Sequence, residues 1–232
     1  MLKAPVSEIF CSVQGEGLYC GQKQVFLRFA GCNLSCKFCD EPAARGGDAF
    51  MEMSGAQAAM DILRLAGKNR AAAVSLTGGE PLLNWKFIKC LAPGVKKAGL
   101  ALHLETNGVL YRELERIKGE VAVIAADIKL PSSTGGKAFW YEHARFFAVA
   151  PEKTFLKVVL TDSTSLADLK KAVALAAAIR PDVPFFLQPA TPRPGGVRPP
   201  KGIFMKKACC WAAARLSRVK VLPQQHPIWG VK

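Results

Sequence analysis

A chain of 232 residues, half of them apolar, is long enough for one sizeable core and too short for several. Its greasiest run, "AVALAAAIR" at 172–180, falls well short of the roughly 18 apolar residues of a membrane span, and the start "MLKAPVSEIF" lacks the apolar run of a secretory signal, so the expected compartment is the cytoplasm. The net charge of +14 is uneven, with nine Lys or Arg and no Asp or Glu from Val183 onward; such a tail suits nucleic acid, anionic small molecules, an acidic electron donor or mere solubility, and no zinc-finger, helix-turn-helix or RNA-recognition signature selects the first of these.

In chain order, "QVFLRFA" (24–30), "AAAVSLT" (71–77), "LALHLET" (100–106), "VAVIAADIK" (121–129), "TFLKVVL" (154–160) and "PFFLQPA" (184–190) read as buried strands. Helical stretches are predicted between them at 55–67, 84–98, 139–149 and 165–180. The Pro- and Gly-rich "TPRPGGVRPPKG" (191–202) reads as a loop over one rim, leading to a final helix and the terminal "VKVLPQQHPIWG". Strand–helix alternation implies a parallel sheet covered by helices. About six parallel strands are too few for an eight-stranded barrel. The expected fold is therefore α/β, a partial, open TIM-like barrel with outer helices in a single domain, 1–232. The C-terminal strand ends of such folds share one rim, where sites form. Cysteines follow the first run, "TGGEP" the second, "ETNG" closes the third, "DIK" the fourth and "QP" the sixth. Separate polar motifs thereby converge.

Eight cysteines in a chain without a signal are expected to be reduced, and clustered thiols then point to metal or catalysis. "GCNLSCKFCD" sets Cys32, Cys36 and Cys39 three and then two residues apart. Three thiolates leave a structural zinc one ligand short unless a distant His completes it. They leave a four-iron cube with one iron open to a small chelating ligand. Gly31 permits the unusual dihedrals needed at the loop's entrance. Cys11, Cys20, Cys90, Cys209 and Cys210 read as small buried residues.

The Cys-x3-Cys-x2-Cys spacing, with Phe38 before the last cysteine, resembles the cluster motif of the radical S-adenosylmethionine (SAM) superfamily. The resemblance implies a 4Fe-4S cluster whose open iron is chelated by SAM, giving a 5′-deoxyadenosyl radical on reduction. "SLTGGEP" (75–81) resembles that family's glycine-rich strand end, where Gly78 and Gly79 would let backbone approach SAM and Glu80 would meet its ammonium group. With "SEIFCSVQGEG" (7–17), "FLRFAGCNLSC" (26–36), "ETNG", "DIKLPSS" and "VLPQQH", the chain resembles 7-carboxy-7-deazaguanine synthases from about residue 7 to 230, with "VQGEG" placed before the first strand. Activating enzymes for glycyl-radical proteins share the cysteine, GGEP and DxK patterns and remain a rival, as does a basic nucleic-acid-binding module with a structural metal.

The resemblance implies a carbon–nitrogen lyase converting 6-carboxy-5,6,7,8-tetrahydropterin to 7-carboxy-7-deazaguanine by radical ring contraction with loss of ammonia. It further implies that Val13, Gln14, Gly15 and Thr77 touch the pterin and that Arg28 reaches its carboxylate. Phe38, Cys39, Asp40, Gly78, Gly79, Glu80, Asp127, Ile128, Lys129, Gln188 and Pro189 would surround SAM. The implied partners are the pterin and an external one-electron donor such as a flavodoxin or ferredoxin, with no membrane and no nucleic acid; a homodimer is compatible. The family's threonine two positions after the third cysteine, which contributes to a magnesium site, is replaced here by Glu41, a carboxylate that suits the same hard ion but adds charge. Glu105 and Asn107 read equally as braces of the rim or ligand contacts. His103 and His143 read as structural, and His226 as either a pocket residue or terminal packing.

Overall fold

The computed structural model describes residues 2–45, 50–192 and 196–232. The elements in order are β1 (Lys3–Val13), β2 (Lys23–Phe29), β3 (Met51–Ser54), α1 (Gly55–Asn69), β4 (Ala73–Gly78), α2 (Trp85–Lys97), β5 (Ala101–Thr106) and α3 (Tyr111–Ile117). They continue with β6 (Val123–Asp127), α4 (Pro131–Thr134), α5 (Trp140–Val149), β7 (Thr154–Leu160), α6 (Leu166–Ile179), β8 (Phe185–Pro189), α7 (Gly202–Ala213), β9 (Val219–Val221) and α8 (His226–Trp229). One sheet runs β3-β1-β2-β4-β5-β6-β7-β8-β9. From β2 to β9 every pairing is parallel, while β1 is antiparallel to both β2 and β3.

The period-2 alternation of strand side chains explains both faces of this sheet. Leu27, Leu76, Leu104, Ile124, Val158 and Leu187 point outward into one core with Ile62 of α1, Leu91 of α2, Leu114 of α3, Phe146 of α5 and Val173 of α6. The intervening positions, among them Arg28, Thr77, Glu105, Asp127, Lys157 and Gln188, line a cavity on the other face. Helix α1 starts cleanly because Ser54 and Gln57 form a reciprocal capping box.

Six expected strands are present, and β1, β3 and β9 join them. The "VQGEG" stretch precedes the first expected strand, here β2, and directly follows the additional strand β1. Strand β1 lacks the continuous apolar pattern because most of its length is only half-buried, and β3 and β9 are short edge strands of four and three residues. The cysteines outside the trio are not the buried small residues expected: Cys90 and Cys210 are exposed and Cys11, Cys20 and Cys209 half-buried. Part of the expected rim loop, 193–195, lies outside the described residues.

The sheet stays open among the described residues. After β9 the chain crosses to the opposite side of the mouth, where the Gln225 amide donates to Gly15 O (3.0 Å) and Ser12 Oγ donates to Lys232 O (2.7 Å). A strap of chain, rather than a strand ladder, bridges the gap.

Candidate active site

Gly31 opens the cysteine loop at φ +91°, a conformation that favours glycine. Its amide donates to Ala44 O (2.7 Å) and its carbonyl accepts from the Glu80 amide (2.8 Å), which clips the loop to the end of β4. The same clip requires glycine at positions 78 and 79. A Cβ on Gly79 would lie 1.9 Å from Gly31 O, and one on Gly78 would lie 2.2 Å from Phe29 O. The loop is fastened further by Lys37 N donating to Thr134 O (3.0 Å) and Asn107 Nδ2 donating to Asn33 Oδ1 (2.8 Å).

All three cysteines of the trio line a cavity of about 390 Å³, together with Phe38, Asp40 and Glu41. Burial pushes the Cys32 and Cys36 thiols above the ordinary value, so occupation by metal would have to drive their deprotonation. Val13, Gln14, Gly15, Arg28, Thr77, Gly78, Gly79, Asp127, Lys129 and Gln188 line the same cavity, as expected from sequence.

Three expected residues do not. Ile128 is buried and donates its amide to Lys157 O, and Pro189 is also absent from the lining. Glu80 is fully buried beneath the rim, where it accepts from Leu82 N (3.0 Å), Asn107 N (2.8 Å) and Thr106 Oγ1 (2.9 Å). Burial raises its acid to about 7, although the Asn107 and Leu82 amides favour the ionised form. Its carboxylate ties the end of β4 to the end of β5.

Register sets the substrate end. A bulge between Val6 and Glu8 in β1 brings Glu8 opposite Arg28, and Arg28 Nε donates to Glu8 Oε1 (2.8 Å). Arg28 Nη1 also stands 3.6 Å from Glu41 Oε1, so Glu41 pairs with this arginine. Beside them Glu105 accepts from Gln14 Nε2 (2.7 Å), Ser75 Oγ (2.6 Å) and Thr77 Oγ1 (2.9 Å). Glu105 thus braces the rim and faces the cavity at once.

Sequence reasoning missed a second polar cluster. Lys157 ion-pairs with Glu16 and lies 4.0 Å from Asp127 Oδ2, which accepts from Lys129 Nζ (2.7 Å). Burial works against the charges, but Lys157 and the Gln224 amide bring Glu16 down to about 2, while Glu16 and Asp127 hold Lys157 above the usual lysine value. Gln224 Nε2 donates to Glu16 Oε1 (2.7 Å) and Asp40 Oδ2 (2.8 Å), and its Oε1 accepts from Thr191 Oγ1. Asp127 Oδ1 is buried with no hydrogen-bond partner among the described residues.

His103 and His143 are structural as expected. Burial lowers both to about 4, so each is neutral. His143 Nδ1 donates to Gly108 O (2.9 Å), and its Nε2 accepts from Lys129 N (3.0 Å), which sets the backbone of the "DIK" turn. His226 does both things foreseen for it. It lines the cavity and packs so closely that a Cβ on Gly15 would lie 2.8 Å from its Nδ1.

Three thiols on one loop at the C-terminal ends of a parallel sheet, opening into a cavity with a buried carboxylate oxygen that has no partner among the described residues, fit a cluster with a chelating cofactor beside it. The Radical SAM superfamily matches residues 27–138, and the fold and site define an enzyme of that class. Curated relatives narrow this. A 7-carboxy-7-deazaguanine synthase of Geobacter sulfurreducens is 33% identical, covering 98% of this chain and 97% of the relative. One of Methanopyrus kandleri is 32% identical, covering 96% and 92% respectively. The crystal structure of QueE from Escherichia coli superposes with a TM-score of 0.63 at 19% identity, covering 95% of this chain and 94% of that one. The chain belongs to the 7-carboxy-7-deazaguanine synthase family. It is a radical SAM enzyme, with the 4Fe-4S cluster and SAM that this implies, and among its described residues no helix is long and apolar enough to cross a membrane.

Proposed function

We propose that the chain converts 6-carboxy-5,6,7,8-tetrahydropterin to 7-carboxy-7-deazaguanine by radical ring contraction with loss of ammonia, as a single domain over residues 1–232. The observation that carries this reading is the shared cavity: Gln14, Arg28, Thr77 and Glu105 open into the same space as Cys32, Cys36 and Cys39. The cluster and SAM, when bound, supply a one-electron cleavage that yields a carbon radical, drawing the electron from an external donor such as a flavodoxin or ferredoxin.

The chain's own residues bind and orient. Cys32, Cys36 and Cys39 would hold the cluster, and Phe38, Asp40, Gly79, Asp127, Lys129 and Gln188 would surround SAM, with Asp127 Oδ1 available to accept a hydrogen bond. Arg28, steadied by Glu8, would take the pterin carboxylate through a charge-assisted fork. Gln14 and Glu105 offer a donor and an acceptor, the pairing that a pterin's amide edge requires. The strap after β9 covers one side of the mouth, which favours a small substrate over the polypeptide of an activating enzyme.

The Glu41 carboxylate is held by Arg28. Magnesium is given no site and no step in this reading.

The test is anaerobic incubation with SAM, a reductant and the carboxytetrahydropterin, with products followed by mass. 7-Carboxy-7-deazaguanine should form, and Cys32→Ala, Cys36→Ala or Cys39→Ala should abolish it while Cys90→Ala spares it. SAM cleavage with no pterin consumed would overturn the substrate assignment.

A further inference from the structure

Gln224 stands between two carboxylates that belong to different parts of the cavity. Asp40 follows the last cluster cysteine directly, so its position is bound to that of the loop expected to carry cluster and SAM. Glu16 follows Gln14 and Gly15 on the side assigned to the pterin, and the Glu16 amide donates to Gln14 Oε1 (3.0 Å), which ties its backbone to that residue's side chain. One nitrogen, Gln224 Nε2, donates to both carboxylates at 2.7 and 2.8 Å. The other end of the amide is taken by the Thr191 hydroxyl, just past β8.

Few side chains could do this. A primary amide presents two N–H donors and an acceptor without charge, whereas a lysine would neutralise one acid and a carboxylate would repel both. The amide is also held from behind. Gln224 is buried at 8% exposure, and the next residue's amide is bonded to Gly15 O, so the strap and the turn after β1 move as one piece. Beyond Glu16 the polar chain runs on through Lys157 to Asp127 and Lys129, returning to the cofactor side.

We propose that Gln224 is a positioning residue that couples the two halves of the cavity, so that SAM and pterin each bind more tightly in the presence of the other. This rests on the functional reading above and adds a property to it. A ligand that settles Asp40 also settles the Gln224 amide, and with it Glu16 and the Gln14–Gly15 turn. The second ligand then meets a wall already in place. Coupling between sites typically amounts to about 5- to 150-fold in affinity and is reciprocal.

The experiment uses the cluster-loaded enzyme under anaerobic, non-reducing conditions, so that neither ligand turns over. SAM affinity is measured by calorimetry alone and with saturating 6-carboxytetrahydropterin, and the pterin likewise with and without SAM. Wild type should show at least about a fivefold mutual enhancement. Gln224→Leu keeps the approximate length and loses both donors, so the enhancement should fall below about twofold. Gln224→Glu should lose it as well and weaken each ligand separately. A purely structural role would lower the unfolding midpoint while leaving the enhancement ratio alone. Full enhancement in a cluster-loaded Gln224→Leu enzyme, or none in wild type that binds both ligands, would overturn the proposal by itself. Wild type that fails to bind the pterin at all would overturn the substrate reading, and the proposal with it.

Discussion

Replacing Glu80 by Gln keeps the size of the side chain and removes its charge, which isolates the role of a buried carboxylate beneath the site. Burial lifts this acid from its ordinary 4.5 to about 7. Each pKa unit corresponds to about 1.4 kcal/mol, so the shift amounts to about 3 kcal/mol. The sign follows from proton uptake: near neutrality the folded state binds a proton that the unfolded state has released, so stability is lost as pH rises. Glu80 should therefore contribute fully below about 4.5 and lose its contribution as pH climbs through about 7. The Gln variant has no such titration. It also leaves an amide nitrogen facing the Asn107 or Leu82 N–H, a buried mismatch worth about 1–3 kcal/mol. Urea unfolding of both proteins between about pH 5 and pH 8 should show the wild-type advantage shrinking by about 3 kcal/mol across that range. SAM affinity should change by less than about twofold, under about 0.5 kcal/mol. Parallel stability curves would refute the raised acid, and a collapse of SAM affinity at unchanged stability would mean that the carboxylate reaches the ligand after all.

Arg28→Ala should weaken pterin binding by roughly 30- to 4,000-fold, the cost of about 2–5 kcal/mol for a lost charge contact, while uncoupled SAM cleavage persists; unchanged pterin affinity would remove Arg28 from the site. Gly79→Ala should reduce iron content sharply, because its Cβ would meet the backbone of the cluster loop at Gly31; full iron loading would contradict that packing. Lys157→Met strips the partner from Glu16 and should cost about 3–5 kcal/mol in unfolding experiments. Combining it with Glu16→Gln should cost less than the two changes summed, and simple additivity would show that the pair is not coupled.

Six parallel strands were legible because their outward positions carry long apolar residues against the helices, and their polar ends advertised a common rim. The trio of cysteines was legible for a different reason, since a loop that wraps a cluster keeps its ligands local in sequence. The Lys157–Glu16 pair and the Gln224 bonds were not legible, because 141 and 208 residues separate the partners and no short spacing records them. The bonds of Glu80 to Thr106 and Asn107 were not legible either, because they join strand ends 26 and 27 residues apart in sequence. The unusual identity of Glu41 was visible at once, but its partner, Arg28, depends on the register of β2 against the cluster loop.

The strap that bridges the open side of the sheet bears on the order in which the enzyme is made. Synthesis proceeds from the N-terminus, and nascent domains acquire structure as they emerge. The three cysteines and β2 through β8 are all available before Gln224 leaves the ribosome, yet the wall at Gly15 and Glu16 is finished only by residues 224–226. Contacts at such separation close late, because the loop they complete must first be gathered. A cluster delivered during translation would meet an unfinished, water-filled chamber. Maturation with iron and sulfide is therefore best matched to a chain in which residues 224–226 have already met the turn at Gly15 and Glu16.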